Sequence, residues 1–307
     1  MNKNCIIICN PESGKKNGIY FEHDLRKILN KHHYSLDIKY TKYKGHATSI
    51  VENLKDEVDL VIAAGGDGTL NEVVTGNLKR KKKLLIAPFP LGTSNDVGNM
   101  YGLTKNYSEN LENLLNGSIK NIDICTINKQ PFVYVACFGK FVEIAYKTPR
   151  KLKEKYGSLG YLIYGLKQLG EKIKPYHVEY TIGNQKKEGN FTFVFVTNST
   201  RVAGVDGIYN DVLLDDNQFE VALCGIKKPK DIITAVYHLT HGDIEKIPEM
   251  EYFKTNKLML KFTDALNHSW CIDGEEYNDS NFEFYFEINK EMNMLVPNTK
   301  VRKLFQK

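Results

Sequence analysis

A glycine-rich turn with one acidic residue follows an apolar run in the first third of the chain. Residues 58–72 read VDLVIAAGGDGTLNE. The apolar stretch ends in Gly65, Gly66, Asp67, Gly68 and Thr69. This order predicts a buried strand, a turn and a helix N-terminus. Glycines let the main chain approach a ligand closely, and amides at a helix N-terminus favour phosphate. Because Asp67 would repel phosphate without a cation between them, the turn indicates a metal–nucleotide complex.

A second strand–turn–helix pattern follows at residues 84–96, LLIAPFPLGTSND. Its turn contains Gly92 and Thr93, followed by the helix-capping residue types Asn95 and Asp96. Two consecutive units of this kind place their acids at the carboxyl edge of a parallel sheet, where ligands bind in open α/β proteins. The spacing excludes the G-x-G-x-x-G fingerprint and the P-loop. An ordinary tight turn and an ordinary helix cap remain open as alternatives at this point.

These two motifs together resemble the diacylglycerol kinase catalytic domain family of lipid kinases. Three further motifs follow the family's order: NPESG at 10–14, DDNQFEV at 215–221 and CIDGEEY at 271–277. Asn217 stands where the family usually has glycine, a mild departure because asparagine also adopts the left-handed conformation. TNSTRVAG at 197–204 and the LLDD run are most similar to the soluble family members of Gram-positive bacteria.

The resemblance implies a role for each motif. The residues expected to bind ATP are Asn10, Gly65, Gly66, Asp67, Gly68, Thr69, Asn71, Glu72, Gly92, Thr93 and Asn95. Mg²⁺ prefers oxygen ligands and often keeps several waters. Its expected ligands are Asp67, Asp96 and one of Asp215 and Asp216, of which Asp216 matches the family better. Lys15 could add a cation beside the 10–14 turn, although an exposed loop lysine is the plainer alternative.

Asp273 is the candidate general base. It follows the strand-like residues 269–272 and precedes Gly274, and the matching aspartate in the family takes the proton from the lipid hydroxyl. Glu275 is expected to orient or assist it. An Asp-Gly hairpin turn is the alternative when the motif stands alone. Neither H-E-x-x-H nor G-x-S-x-G occurs in the sequence, so metalloprotease and serine-hydrolase chemistry find no support.

Composition and charge bound the class of protein. The chain has 307 residues, of which 42% are hydrophobic, enough for one or two domains with cores. No apolar run approaches the ~18 residues of a membrane span. Six scattered cysteines without a C-x-x-C pair indicate buried free thiols in a reducing cytosol.

The formal net charge is +5, and basic residues cluster at 79–83 and at 147–155. The first cluster is expected to be a solvated surface between a helix and a strand. The second adjoins aromatic and aliphatic residues, a mixture that suits an anionic membrane surface and also a helix packed on a sheet. We therefore expect peripheral membrane contact through Lys147, Arg150, Lys151 and Lys153.

Hydrophobic periodicity divides the chain into two domains. Strand-like and helix-like segments alternate up to residue 116, which predicts an α/β N-terminal domain with a mostly parallel sheet. Short β-branched and aromatic runs then predict a mainly antiparallel β-domain with helices near 149–171 and 229–241. The expected domains are a nucleotide-binding domain over 1–118, a lipid-substrate domain over 119–290, and a segment 291–307 that returns to the first domain, as the family resemblance implies. The active site is expected in the interdomain cleft.

The sequence thus predicts an ATP-dependent, Mg²⁺-requiring kinase that converts diacylglycerol to phosphatidic acid. The alternatives are a kinase for a sphingoid base or phosphatidylglycerol, and a non-catalytic nucleotide- or lipid-binding regulator of the same fold. NAD kinases share the GGDG turn, but Asn71-Glu72 and the DGE motif at 273–275 favour the lipid kinases. The expected location is the cytoplasm with peripheral membrane association; no nucleic-acid partner is expected, and a homodimer is allowed for.

Overall fold

The computed structural model describes most of the chain. The described residues are 2–13, 22–139, 174–202, 204–207, 209, 211–228, 231, 234, 235, 237, 238, 244–247, 249–298 and 301–306. Contacts group the chain into two compact units: unit 1 comprises Met1–Ile124 and Lys290–Lys307, and unit 2 comprises Cys125–Asn289. The predicted boundary after residue 118 falls inside a strand, Ser118–Ile127, whose larger part belongs to unit 1.

Strands and helices alternate along unit 1. Its strands are β1 (Lys3–Cys9), β2 (Tyr34–Tyr40), β3 (Leu60–Gly65), β4 (Leu85–Pro90) and the first part of β5 (Ser118–Ile127). Its helices are α1 (Glu22–Lys31), α2 (His46–Glu52), α3 (Asp67–Lys79), α4 (Asp96–Met100) and α5 (Tyr107–Leu115), with a 3₁₀ helix at Val301–Leu304. The strand order β2-β1-β3-β4 is parallel at every pairing. The prediction of parallel N-terminal strands is therefore confirmed.

Burial explains why these strands form a parallel sheet. All six residues of β3 and the last five residues of β1 are buried. Continuous apolar runs of this kind are typical of strands covered on both faces. Helix α3 buries Leu70, Val73 and Val74, which lie on one helical face. Since α3 follows β3 almost directly, its first turn lies at the carboxyl edge of the sheet.

The end of the chain belongs to unit 1. In strand β18 (Glu283–Val296), Met294 pairs in parallel with Ile86 of β4. Further along, the Asn298 side-chain amide donates a hydrogen bond to the Asn116 carbonyl oxygen at 2.7 Å. Residues 294–298 are thus anchored to the α/β unit by main-chain pairing and by a side-chain hydrogen bond.

The described residues of unit 2 form mainly antiparallel sheets, with a 3₁₀ helix at Ile244–Lys246. Its further strands are β6 (Gln130–Phe132), β7 (Val135–Gly139), β8 (Tyr176–Ile182), β9 (Gln185–Phe191), β10 (Phe193–Thr197), β11 (Arg201–Val202), β12 (Val205–Asp206), β13 (Phe219–Cys224), β14 (Met250–Thr255), β15 (Lys257–Phe262), β16 (Trp270–Ile272) and β17 (Glu275–Tyr277). One sheet has the order β14-β13-β10-β7-β16-β17, and β18, β15, β8 and β9 are neighbours in another. Each of these pairings is antiparallel. The predicted antiparallel second half is confirmed.

Aromatic residues form the core of unit 2. Phe138, Trp270 and Phe286 are almost completely buried in one cluster. The Trp270 ring lies 5.3 Å from the Phe138 ring and 5.4 Å from the Phe286 ring. Such tilted aromatic pairs are favourable beyond the area they bury. This core holds β7 and β16, the strands that carry the candidate base region.

The sequence does not predict every strand. Strand β9 reads QKKEGNF, and only its last residue is buried. Main-chain hydrogen bonds to β8 hold β9 in the sheet. Its side chains are mostly exposed and show no apolar alternation from which a strand could be predicted. The predicted helix at 149–171 lies outside the described residues, as do most residues of the one at 229–241.

The expectation that the 79–83 cluster is a solvated surface is wrong for Arg80. Its side chain is buried and donates to the Val51 carbonyl oxygen at 3.1 Å and to Asp56 Oδ1 at 2.6 Å. Lys83 donates to the carbonyl oxygen of Leu78 at 2.8 Å. These cations therefore bind carbonyl groups near the ends of α2 and α3, where positive charge is favourable.

Candidate active site

The glycine turn after β3 requires glycine at its first position, Gly65. A Cβ on Gly65 would lie 2.2 Å from the Thr69 hydroxyl oxygen, a distance that real Cβ atoms do not adopt. Gly66 is the N-cap of α3 in an extended conformation, and α3 begins at Asp67. Gly68 and Thr69 complete the first turn, with the Thr69 amide donating to the Gly66 carbonyl oxygen at 3.0 Å. The turn therefore presents a helix N-terminus with little side-chain cover.

The second predicted turn packs directly against the first. The amide of Leu91 donates to the Gly65 carbonyl oxygen at 2.8 Å. A Cβ on Gly92 would lie 2.7 Å from the Cα of Gly66. Asn95, with φ 48°, exchanges two hydrogen bonds with the Gly92 main chain, at 2.8 and 2.7 Å. The structure thus brings Gly65, Gly66, Gly92 and Asn95 together, as expected for two turns at one sheet edge.

Asp67 and Asp96 also meet at this edge. The Asp67 carboxylate accepts hydrogen bonds from the amides of Asp96 at 2.9 Å and Val97 at 3.1 Å. It therefore caps the N-terminus of α4, where negative charge is stabilising. Asp96 itself is fully buried. Sequence reasoning places both acids at one edge but does not predict that one of them holds the helix on which the other lies.

Asn10, directly after β1, contacts helix α3. Its amide donates to the Ala64 carbonyl oxygen at 3.0 Å, and its side-chain nitrogen lies 3.4 Å from the Thr69 hydroxyl oxygen. Its side-chain oxygen accepts the amide of Glu12 at 3.0 Å. Asn10 therefore links the turn after β1 to the glycine turn. Gly14 and Lys15 lie outside the described residues.

Glu72 lies in α3 and binds the start of α2. Its carboxylate accepts the amides of Gly45 at 2.7 Å and Ala47 at 3.0 Å, at the start of α2. Asn71, one residue earlier, accepts a hydrogen bond from the Thr75 hydroxyl at 3.4 Å. Thr93 is exposed on the second turn. Glu72 thus connects α3 to the residues that follow β2, while Thr93 stays accessible.

A small cavity lies beneath the two turns. Its lining includes Gly65, Gly66, Asp67, Asn95 and Gly98, and its volume is about 10 Å³. This is roughly the space of one water molecule. The cavity is therefore too small to hold a phosphate group.

Asp273, the candidate base, is buried within unit 2. Its carboxylate accepts three main-chain hydrogen bonds, from Val133 at 2.7 Å, Tyr134 at 3.0 Å and Val135 at 3.1 Å. The side chain is only 4% exposed, and its backbone is left-handed with φ 48°. Glu275 is exposed two residues further on. Asp273 thus has a clear structural role, and accepting a substrate proton requires access to an oxygen that already accepts amides.

Asp215 and Asp216 lie in the turn before β13. Asp216 accepts the amide of Gln218 at 3.0 Å, and Asn217 between them has φ 61°. The departure from glycine at 217 is therefore accommodated by the left-handed conformation that asparagine tolerates. Burial raises the pKa of Asp216 above its ordinary value, and the positive charge of Lys254 opposes that rise.

Two buried carboxylates were not identified from the sequence. Asp123 in β5 is 1% exposed, and so is Glu220 in β13. Burial raises the pKa of Glu220 to about 8, although Lys254 Nζ lies 3.5 Å from Glu220 Oε1. The signal available in the sequence is an acid inside an otherwise apolar strand, NIDICTI or QFEVALC. Such a pattern does not distinguish a buried acid from one that faces solvent.

Within the described ranges, no group of three or more His, Cys, Asp or Glu residues is arranged to hold a metal ion. In that same part of the chain, no helix is both long and apolar enough to cross a membrane. The basic cluster at 147–155 lies outside the described residues. All six cysteines are buried with free thiols, which confirms their predicted burial.

Comparison with known proteins identifies the family. The model of the diacylglycerol kinase catalytic domain matches residues 4–127. A diacylglycerol kinase of Staphylococcus epidermidis is 32% identical over 297 residues, which cover 94% of this chain and 92% of that protein. A diacylglycerol kinase of Bacillus subtilis is 28% identical, with 98% and 99% covered. The crystal structure of a diacylglycerol kinase from Bacillus anthracis has a TM-score of 0.74 at 19% identity, covering 97% of this chain and 98% of that one.

The chain therefore belongs to the diacylglycerol kinase family, and the resemblance drawn from its motifs is confirmed. It is a kinase that transfers phosphate to an alcohol and takes part in lipid metabolism. The solved structure, at its low identity, supports the fold alone.

Proposed function

We propose that this protein phosphorylates diacylglycerol with ATP to give phosphatidic acid. The observation that carries the proposal is the packing of the two predicted turns at the carboxyl edge of the parallel sheet, with Gly66 against Gly92. Phosphoryl transfer requires mainly positioning and neutralisation of charge. A helix N-terminus that lacks side-chain cover provides both. The diacylglycerol kinases of Staphylococcus and Bacillus support the choice of lipid.

Mg²⁺ fits the acids of unit 1 provided that substrate phosphates and water supply its other ligands. It is usually bound through one or two carboxylates together with substrate phosphates and water. The Asp67 carboxylate accepts one amide on each oxygen, and a carboxylate oxygen can accept more than one partner. Asp67 and Asp96 could therefore hold Mg²⁺ jointly with ATP, and the bound ion would neutralise phosphate charge. In unit 2, Asp215 and Asp216 are the remaining candidates.

The chain's own residues then have defined tasks. Gly65 to Thr69 and Thr93 bind phosphate oxygens, and Asn10 fixes the position of Thr69. Asp67 fixes α4 and thereby Asp96. Asp273 takes the proton of the lipid hydroxyl with Glu275 beside it; unliganded geometry need not show the hydrogen bond that this transfer uses. Peripheral membrane contact through residues 147–155 belongs to the same proposal.

The test is a transfer assay with γ-labelled ATP and mixed micelles, each containing one lipid. We expect label in phosphatidic acid when diacylglycerol is present, and loss of transfer when Mg²⁺ is chelated. Label found mainly in a phosphorylated sphingoid base or in phosphorylated phosphatidylglycerol would replace the substrate and keep the reaction class. ATP binding without transfer to any lipid would instead indicate a non-catalytic regulator.

A further inference from the structure

An aromatic ring stands out on the surface of unit 1, in the turn between β2 and α2. Tyr43 is 65% exposed, more than any other large hydrophobic residue in the described part of the chain. Its ring is nevertheless ordered by a neighbour. It stacks on the His46 ring with centroids 4.7 Å apart and an angle of 18° between the planes. One face of the tyrosine is therefore covered by imidazole, which leaves the other available to a flat ligand.

Main-chain hydrogen bonds fix the turn that carries this pair. The amide of Thr41 donates to the carbonyl oxygen of Cys9 at 2.9 Å, and the amide of His46 donates to that of Tyr43 at 3.1 Å. The Lys42 amide donates to His46 Nδ1 at 3.0 Å. Because Nδ1 accepts a hydrogen bond, the imidazole is held in one orientation as a support for the tyrosine.

The same turn is attached to the helix of the glycine turn. Glu72 in α3 accepts the amides of Gly45 and Ala47, and the Thr48 hydroxyl donates to the Glu72 carbonyl oxygen at 2.9 Å. Glu72 lies little more than one helical turn after Asp67, about 7–8 Å along the axis at 1.5 Å per residue. The Tyr43–His46 pair is thus fixed to the element that presents the candidate phosphate site.

We propose that the Tyr43–His46 pair is a stacking platform for the base of the nucleotide substrate. The proposal rests on the proposed function and deepens it, because it assigns the base to this turn and the phosphates to the glycine turn. Strand β1 ends beside both turns, through Cys9 and Asn10. A base stacked on an aromatic side chain contributes affinity with little selectivity, because every base has a π-face.

Membrane contact is the other use of an exposed aromatic beside lysines, and the geometry favours the base. A residue that inserts into lipid needs no second ring beneath it. Here the tyrosine is backed by a parallel imidazole whose orientation is itself fixed by a hydrogen bond. The turn is further linked to β1 and α3, next to Asn10 and the glycine turn. These attachments preorganise a flat binding face, which reduces the cost of binding a flat ligand.

The test compares binding of Mg²⁺·ATP and of inorganic tripolyphosphate to the full chain by calorimetry. Tyr43→Ala should weaken ATP binding by ~5- to 50-fold, as expected for loss of one base–aromatic stack, and leave tripolyphosphate binding unchanged. Tyr43→Phe should bind ATP like the parent, since the ring is kept. The ratio of GTP to ATP affinity should not change in Tyr43→Ala. Tyr285→Ala removes another half-exposed tyrosine, in unit 2, and is the matched control.

The outcomes distinguish a failure of the stacking platform from a failure of the proposed function. A parent protein that binds tripolyphosphate and ATP, with Tyr43→Ala equal to it for both, would overturn the platform and leave the proposed function standing. A parent that binds no ATP would overturn both. Equal weakening for ATP and tripolyphosphate would show damage to the phosphate site. Normal ATP binding by Tyr43→Ala, together with lost sedimentation with vesicles of anionic lipid, would show a membrane contact. Either result would overturn the platform.

Discussion

Two aspartates of this chain follow a strand and precede a glycine, and their surroundings differ. Asp67 in unit 1 is partly accessible and accepts two amides from the start of α4. Asp273 in unit 2 is 4% exposed and accepts three amides from residues 133–135. The first connects two turns of a candidate ligand site. The second joins adjacent strands of a single sheet, since its own amide also donates to Val135.

The comparison shows that the same short motif can serve ligand binding and folding to different extents. Removing the Asp67 carboxylate would take the cap from the five-residue helix α4. Removing the Asp273 carboxylate would leave three buried amides without their acceptor, and unsatisfied buried groups are costly. We therefore expect replacement of Asp67 to lower mainly the activity, and replacement of Asp273 to lower both the activity and the stability.

The largest effect is expected for Asp273→Asn. Loss of the general base should lower kcat by ~10²–10⁴-fold. The melting temperature should also fall, because an asparagine side chain presents an NH₂ group to amide donors that need an acceptor, at a cost of roughly 1–3 kcal/mol for each unsatisfied group. Both quantities are measured on the purified protein, with kcat taken well below the variant's own melting temperature.

The control for this prediction is Asp279→Asn. Asp279 also accepts a main-chain amide, that of Asn281 at 2.9 Å, but it is more exposed. Its replacement should change kcat little. Near-normal kcat in Asp273→Asn would reject the base, and an unchanged melting temperature would reject the structural half of the comparison.

The second prediction concerns Asp67 and Asp96 as one unit. Residues that act together have non-additive effects. The double variant Asp67→Ala with Asp96→Ala should therefore lose little more activity than the worse single variant. Asp96→Ala keeps the main-chain amide that donates to Asp67, so the cap on α4 is lost only in the variants in which Asp67 is replaced. Losses in kcat/KM that multiply would show that the two acids work independently.

The third prediction separates ligand approach from packing at the two glycines of the site. A Cβ on Gly66 would meet its nearest atom, the Cα of Gly92, at 3.6 Å, an ordinary contact. A Cβ on Gly92 would meet the Cα of Gly66 at 2.7 Å. Gly66→Ala should keep the melting temperature and raise the KM for ATP several-fold, since its methyl group covers the phosphate-binding amides. Gly92→Ala should lower stability as well as activity.

A lowered melting temperature in Gly66→Ala would contradict this separation, as would full stability in Gly92→Ala. The pair serves as its own control, because the two changes add the same methyl group within one site. Together they show whether the bare backbone of the glycine turn is required by the ligand or by the fold.

The glycine turn and its strand could be predicted because their signals are local. The apolar run from Leu60 to Ala64 is continuous, and the glycines follow at once. Contacts between segments could not be predicted in the same way. The cap from Asp67 to α4 depends on the parallel register of β3 and β4, in which Gly65 pairs with Pro90. Nothing in either segment alone specifies that register.

The surroundings of Asp273 illustrate a longer-range limit. Its amide donors lie about 140 residues earlier in the chain, and a DGE sequence contains no information on them. Glu220 is similar: its strand reads FEVALC, and all six residues are buried, so alternation between faces gives no sign of its environment. The sequence predicted that Asp67 and Asp96 lie at one sheet edge, but it did not predict how buried each acid is.

The smallest effect is expected for Glu220→Gln, which tests whether a buried acid of unit 2 outside the predicted site affects stability alone. Burial raises the pKa of Glu220 from 4.5 to about 8. The folded protein therefore keeps this proton up to about pH 8, whereas the unfolded chain loses it near pH 4.5. Between these values the folded state binds more protons, so the Glu220 contribution to stability decreases as pH rises.

Glutamine has nearly the shape of the protonated acid and does not titrate. Relative to the parent, Glu220→Gln should be equal in stability near pH 4.5 and more stable at pH 8.5, by on the order of 1–3 kcal/mol. Thermal unfolding followed across this range measures the difference, with Glu179→Gln, an exposed partner of Lys261, as control. A gain in stability that is the same at both pH values would show that burial does not raise the pKa of the Glu220 carboxyl. A fall in kcat alongside the gain would place Glu220 in the catalytic site, against its assignment to stability alone.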